Sequence, residues 1–271
     1  MAASVPLAPP VGAQEIEAVE CSPAHPAGRR RRDVVIAERP LTIQVDGAAY
    51  TLLRTPGADR ELVVGFLFTE GLIAGAGDIQ LLRQCPDSPD VIAVSTSEAK
   101  DKPLRSLLIT SSCGLCGRED IDAMVASLPR VESPFRVPLA TVYRVPAAVR
   151  ALQPLFNATG GAHASAFFDA AGRVSCVMED VGRHNALDKL IGHALLRGGV
   201  PGDAGLFLSG RTSLEMIVKA ARAGIPIVAA VGAPTVAAVE AANRLGITLC
   251  GFLRDERMCV YAHEGRIEGL A

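Results

Sequence analysis

The stretch Leu206 to Leu253 reads LFLSGRTSLEMIVKAARAGIPIVAAVGAPTVAAVEAANRLGITLCGFL. Three short apolar runs, Leu206-Phe207-Leu208, Ile225 to Val231 and Ile247 to Leu253, alternate with two stretches whose apolar residues recur at helical spacing. The capping-box pattern Thr212-Ser213-Leu214-Glu215 opens one helix to about Ala223, and Gly224 stops it. Pro234 and Thr235 start a second helix through Leu245, which Gly246 ends. The order βαβαβ with two crossovers predicts an α/β fold with parallel strands covered by helices. Ligands on such sheets bind outside the carboxyl ends of the strands. Those ends carry Ser209-Gly210-Arg211, Gly232-Ala233-Pro234-Thr235 and Arg254-Asp255-Glu256-Arg257.

Chemistry at those ends follows from residue type. Helix N-termini offer unpaired backbone N–H groups, Gly210 lets a ligand approach the backbone, and Arg211, Arg254 and Arg257 supply planar bidentate donors suited to phosphate. Neither a Walker loop nor GxGxxG is present. Upstream, Glu179-Asp180-Val181-Gly182-Arg183-His184-Asn185 is a polar turn between a strand at Val174 to Met178 and a helix over Ala186 to Leu196. His184, near that helix start, serves either a ligand or a structural cap.

The rest of the chain reads as α+β. Leu41 to Val45 and Tyr50 to Leu53 flank Asp46-Gly47 and predict a β-hairpin. A helix follows over Arg60 to Leu72, then short strands at Ile79 to Leu82 and Val91 to Ser95. Residues 97–105 form a charged connection, and a helix is expected over Glu119 to Leu128. The first 32 residues are rich in Ala, Pro and Gly and are expected to be a disordered tail. Residues 33–130 then make a small α+β region and residues 131–271 an α/β domain.

Composition narrows the class. At 271 residues and 49% apolar, the chain can bury a sizeable core. A net charge of −2 argues against a protein that coats nucleic acid. No apolar run approaches the roughly 20 residues of a membrane span. The arginines Arg29 to Arg32 follow the tail, whereas a secretory signal puts its positive residues ahead of an apolar core. Seven cysteines in this length suit free thiols in a reducing compartment, so the expectation is a cytoplasmic, soluble protein.

Two of those thiols stand out in Ser111-Ser112-Cys113-Gly114-Leu115-Cys116-Gly117. An expected helix start just after Cys116, with Arg105 and Arg118 nearby, lowers a thiol pKa and makes Cys113 and Cys116 candidate nucleophiles. A thioredoxin-like pair belongs in a compact βαβ context, and here a charged linker precedes it. Structural zinc needs four ligands, and no second CxxC or His pair follows at finger spacing. Zinc deaminases use H-x-E ahead of P-C-x-x-C. The candidate His163-Ala164-Ser165 has Ser in place of Glu and lies after the cysteines instead of before them.

From about Asp33 to Ile267 the sequence resembles the formate dehydrogenase accessory sulfurtransferases, the FdhD family. The resemblance is carried by SSCGLCG, by EDVGRHNALDKLIG over Glu179 to Gly192, and by SGRTSLEMIVKAARAGIPIV over Ser209 to Val228. It implies a sulfur carrier that accepts sulfur from a cysteine desulfurase as a persulfide. The sulfur then passes to the molybdenum cofactor in its bis(molybdopterin guanine dinucleotide) form, before insertion into formate dehydrogenase. Cys113 falls on the persulfide position, with Cys116 its partner for relay or release. The cofactor-binding segment falls on Phe252, Leu253, Arg254, Asp255, Glu256 and Arg257, beside the Gly210 and Arg211 loop. The implied fold is a three-layer, cytidine-deaminase-like domain with a mixed, largely parallel sheet, and a homodimer is implied with it. A thiol–disulfide oxidoreductase and a non-catalytic molybdenum cofactor chaperone are the competing classes; no metal, nucleic acid or membrane is expected.

Overall fold

The computed structural model describes residues 8–97 and 125–270. The first surprise is the expected tail. Strands β1 (Ala13–Ser22) and β2 (His25–Ile36) pair antiparallel from Ala13 opposite Ile36 to Ser22 opposite His25. The tail expectation is therefore corrected over residues 13–32. Glu15, Glu17 and Glu20 on β1 meet the arginine run on β2, with Glu17 opposite Arg32 and Glu20 opposite Arg29. Opposite charges across a ladder favour pairing, and an arginine run reads as disorder only while its acidic partners go unnoticed.

The next unit follows the sequence closely. Strands β3 (Arg39–Val45) and β4 (Ala48–Arg54) are joined by Asp46 and Gly47, both at positive φ, as a two-residue hairpin of this twist requires. Helix α1 (Asp59–Thr69) then leads to β5 (Ile79–Cys85) and β6 (Ser88–Thr96). The sheet order is β4-β3-β6-β5, with β3 and β6 parallel. Alternate residues Leu41, Ile43 and Val45 point at Leu62, Val63, Phe66 and Leu67 of α1 to form a closed core.

After a short strand β7 (Val137–Pro138) come α2 (Leu139–Ala151) and α3 (Pro154–Thr159). The second domain then runs β8 (His163–Phe168), β9 (Val174–Asp180), α4 (Arg183–Leu195), β10 (Gly205–Leu208), α5 (Leu214–Arg222), β11 (Ile227–Ala230), α6 (Val236–Leu245), β12 (Thr248–Arg254) and β13 (Arg257–Ala262). A final β14 (Ile267–Glu268) pairs parallel with β7.

The main sheet has the order β13-β12-β11-β10-β8-β9. The βαβαβ core is as read, with β10, β11 and β12 parallel. Its flanks are not: β8 runs antiparallel to β10 and to β9, and β13 antiparallel to β12. The sheet is mixed, and the largely parallel description is corrected, because both flanking strands return through hairpins instead of helices. Three layers are present. On one face Val142, Val145 and Val149 of α2 cover Phe207, Ile227 and Ala229. On the other, α4, α5 and α6 cover Leu206, Leu208, Val228 and Ala230.

The two domains are held together by α1 crossing α4. A Cβ added at Gly65 would overlap the Asp188 carbonyl, and one at Gly192 would overlap the Glu61 carbonyl, so the two backbones touch directly. Adding one methyl at this contact must separate the helices, since neither obstacle is a side chain that can swing away. Gly192→Ala is expected to lower stability by about 3 kcal/mol in urea unfolding, while Gly77→Ala, with open space around it, stays within about 0.5 kcal/mol.

Candidate functional site

The run from Glu179 to Lys189 has two separate jobs. Glu179 accepts hydrogen bonds from the Leu155 and Phe156 amides at 2.9 and 2.8 Å, closing the start of α3. Asp180, fully buried, accepts from the Thr55 amide at 3.0 Å and the Gly182 amide at 2.8 Å, and pairs with Lys189 at 2.7 Å. Asn185 donates to the Leu53 carbonyl at 2.7 Å and Lys189 to the Thr55 carbonyl at 2.9 Å. Asp188 accepts from Lys219 at 2.9 Å and from Thr69 Oγ1 at 2.8 Å. Asp180, Asn185, Asp188 and Lys189 thus bind the second domain to the first, and Glu179 serves α3. Arg183 and His184 remain, and they open α4 at the carboxyl ends of the central strands.

Those strand ends bring a second set together. Gly210 sits where an added Cβ would lie 3.2 Å from His163 Nδ1 and 3.6 Å from Arg183 Cδ. The loop from Ser209 is fixed from beneath: Ser209 N donates to the Ala164 carbonyl and Ser209 Oγ accepts from the Ala164 amide at 2.8 Å. Gly232 packs so tightly that a Cβ would come 2.7 Å from the Arg211 amide nitrogen. Its carbonyl accepts from the Phe252 amide at 3.2 Å, which ties the third strand end to the other two. Glycines at the first two ends thus let the two loops pack backbone to backbone, with His163 close above Gly210.

Glu215 differs from expectation. A capping box would turn it back to its own helix start, yet the cap is Ser213, without a side-chain cap bond, and Glu215 pairs with His184 at 2.7 Å. That hydrogen bond holds the Glu215 carboxyl below its ordinary range. His163 is pushed the other way for a histidine: burial lowers its pKa, and Arg183, His184 and Arg211 add to this against Asp180. Arg183 is lowered by burial and by Arg211. The site is locally cationic in a chain of net charge −2.

Of the residues named from the sequence, those in the second domain can be placed. Gly210 and Arg211 join the site, with Arg211 exposed. Residues 252–257 do not form a loop leading off the sheet: Arg254 pairs with Arg257 across a two-residue turn whose Asp255 and Glu256 have φ of 52° and 54°. Arg254, Asp255, Glu256 and Arg257 are exposed at this hairpin tip, Leu253 is buried in the core and Phe252 is half-buried at a bulge. With Cys250 opposite Ala229, the tip stands roughly 10 Å beyond the end of β11. Cys113 and Cys116 lie outside the described residues. Of the described thiols, Cys250 is buried with its pKa pushed up to about 12, and burial also raises Cys176. Both are unsuited to act as thiolates.

His163 and Arg183 were not singled out as site residues by sequence reading. The polar density of Glu179 to Asn185 was the available signal for Arg183. His163 entered only as the histidine of a failed deaminase pattern, and its place beside Gly210 comes from β8 lying antiparallel beside β10.

A family model described as the FdhD/NarQ family matches residues 36–268. The sulfur carrier protein FdhD of Mycolicibacterium paratuberculosis is 41% identical over 252 residues, covering 88% of this chain and 93% of that protein. The protein of the same name from Thermoplasma acidophilum is 38% identical over 245 residues, covering 87% of each. The crystal structure of a formate dehydrogenase accessory protein from Desulfotalea psychrophila superposes with a TM-score of 0.79 at 26% identity, covering 95% of this chain and all of that one.

Below its ordinary pKa of 6.5, His163 takes up a proton in the unfolded chain that the folded site refuses. Stability contributed here rises with pH across that window, because the unfolded state binds more protons. His163→Asn is therefore expected to show a smaller gain in Tm between about pH 5 and about pH 7 than the unaltered protein. Differential scanning calorimetry at both pH values checks this.

Proposed function

The chain belongs to the FdhD/NarQ family, and from that membership we propose that it is a sulfurtransferase that carries sulfur to the molybdenum cofactor during formate dehydrogenase maturation. The observation that carries the reading is the pairing of a CxxC in the sequence with a glycine-lined, cationic site at the strand ends. A carrier needs a nucleophilic thiol for the sulfur and a separate place for the acceptor.

The chemistry of loading is thiol exchange. The Cys113 thiolate attacks the outer sulfur of a persulfide on a cysteine desulfurase; the new S–S bond forms as the donor's S–S bond breaks, and the donor cysteine leaves as thiolate. Unloading has a balanced route through Cys116. Its thiolate attacks Cys113 Sγ to form a disulfide, and the outer sulfur departs with the electron pair as sulfide for the acceptor. Resetting the pair then needs a cellular dithiol reductant.

The acceptor, as substrate, is the bis(molybdopterin guanine dinucleotide) form of the cofactor. Arg183 and Arg211, the exposed backbone at Gly210 and the starts of α4 and α5 suit its phosphates. In this reading Arg254 and Arg257 at the hairpin tip supply further donors to the same acceptor. The deaminase-like architecture, a cytoplasmic location and a homodimer belong to the same reading. Among the described residues no helix is long and apolar enough to cross a membrane.

Two measurements test it. After incubation with a cysteine desulfurase and cysteine, intact-mass and peptide spectra are expected to show one added sulfur on Cys113, absent in Cys113→Ala; restoration of formate dehydrogenase activity by Cys113→Ala in cells lacking the native protein refutes the carrier. Arg257→Ala is expected to weaken binding of a guanine dinucleotide or GDP about tenfold, the value of one charged hydrogen bond, as read by isothermal titration calorimetry.

A further inference from the structure

Three guanidinium groups converge at the end of the main sheet opposite the strand-end site. Arg266 closes the short helical turn Glu264–Arg266 after β13, Arg130 directly precedes Val131, and Arg136 leads into β7. Arg266 is half-buried and donates to the Gly246 carbonyl at 2.8 Å and the Val131 carbonyl at 3.2 Å. Arg130 donates to the Arg244 carbonyl at 3.3 Å, and Arg136 to the Gly265 carbonyl. These bonds satisfy the carbonyls at the end of α6 and beside it, yet a neutral acceptor leaves the charge of a guanidinium unbalanced. Burial, and then the charges of Arg130 and Arg136, hold the Arg266 pKa below its ordinary value, so the three like charges act on one another. The arginines of β2 each meet a glutamate or an aspartate; among the described residues none of these three has an ion-pair partner. Arg130 and Arg136 are exposed, and each keeps N–H groups free for a carboxylate.

The place of the cluster narrows its use. It stands at the start of β12, roughly 20 Å of strand away from the Arg254 and Arg257 tip. It also lies where the thiol-bearing segment rejoins the fold, since Val125 is buried in the second core and Val131 donates to the Leu245 carbonyl. Cys116 is nine residues ahead of Val125, at most about 32 Å of chain. A protein that handles Cys113 comes within reach of the same surface.

We infer that Arg130, Arg136 and Arg266 form a docking patch for an acidic segment on the surface of the protein that delivers sulfur to Cys113. The inference rests on the carrier reading for the identity of that partner and goes beyond it in assigning where the partner docks. Carboxylates suit the patch better than nucleic acid does: the guanidiniums are grouped around one helix end instead of following a track, and the chain as a whole carries a charge of −2. Each exposed fork can take a carboxylate in bidentate fashion. Charges at the rim of an interface act chiefly on encounter, so the patch governs how much donor is needed and not how fast bound donor gives up its sulfur.

The test uses the full chain with a purified cysteine desulfurase and, as a separate arm, a fluorescently labelled hexaglutamate peptide at low salt. Arg130→Glu and Arg136→Glu are each expected to raise the desulfurase concentration for half-maximal loading of Cys113 about tenfold with the maximal rate unchanged. Salt at about 0.5 M is expected to shrink that difference. The same variants are expected to weaken peptide binding about tenfold in fluorescence anisotropy. Both positions are exposed, so the fold survives the substitutions, and Arg83→Glu, exposed on β5 of the other sheet, controls for net charge. Loading that keeps its concentration dependence in both site variants, or an equal effect of Arg83→Glu, overturns the inference. An oligothymidylate of matched charge binding more tightly than the peptide overturns it too, in favour of nucleic acid. If Cys113 of the unaltered protein takes up no sulfur, the carrier reading fails, while peptide binding still decides whether the patch receives acidic segments.

Discussion

The direct backbone contact of α1 with α4 is the constraint on which the rest of the structure depends. With Gly65 against Asp188 and Gly192 against Glu61, no side chain intervenes, so the crossing distance is set by the backbones themselves. Polar locks stand around the crossing. Lys189 and Asp180 close one side and reach Thr55 in the first domain; Lys219, Asp188 and Thr69 close another. Removing two opposite charges from water costs about as much as their attraction returns, so these pairs are weak stabilisers of the fold taken as a whole. Their value lies in specificity. A sliding of α1 along α4 would leave a buried aspartate or lysine without its partner, which costs several kcal/mol (about 3–5) and therefore excludes competing registers.

That lock explains how one sequence run can look uniformly polar yet serve unlike ends. Glu179, Asp180, Asn185, Asp188 and Lys189 spend their hydrogen-bonding capacity on the first domain and on α3. Arg183 and His184 stand between them on the same helix start and project into the strand-end site. Because the locks flank them within one turn of helix on either side, the pair is held without needing contacts of its own. Glu215 adds the remaining restraint by fixing His184 from α5. A rigid helix start with locked neighbours is the kind of platform that positions a charged group accurately.

Much of this was legible in the sequence, and the reasons for what was not are physical. The strands β10 to β12 and helices α5 and α6 declared themselves through apolar runs, helical spacing and the glycines at 224 and 246, which end their helices. Gly210 and Arg211 were legible because a strand end followed by a helix start is a local pattern. Three features were not. The β1–β2 ribbon hid because its pairing is ionic across strands, and an arginine run shows half of it. The β12–β13 hairpin hid because Asp255 and Glu256 take positive φ without a glycine or asparagine to announce the turn. β8 hid because His163-Ala164-Ser165-Ala166 carries small residues instead of β-branched ones, so nothing local distinguishes it from a loop. His163 was read only against the deaminase pattern, since convergence with Arg183 is a consequence of sheet order.

The same clamp bears on two distant parts of the chain. The cysteines lie in sequence between β6, whose Val94 is buried in the first core, and Val125, which is buried in the second. Val131 continues that second anchor with a backbone hydrogen bond to the Leu245 carbonyl at the end of α6. The segment bearing Cys113 and Cys116 therefore begins in one domain and ends in the other, and the separation of its two ends is fixed by the α1–α4 crossing. The strand-end site is fixed by that crossing as well, through Asp180 and the start of α4. The two glycine-to-backbone contacts thus set both the distance between the ends of the segment that carries the thiols and the position of the cationic site, so loosening them disturbs both together even though they touch neither.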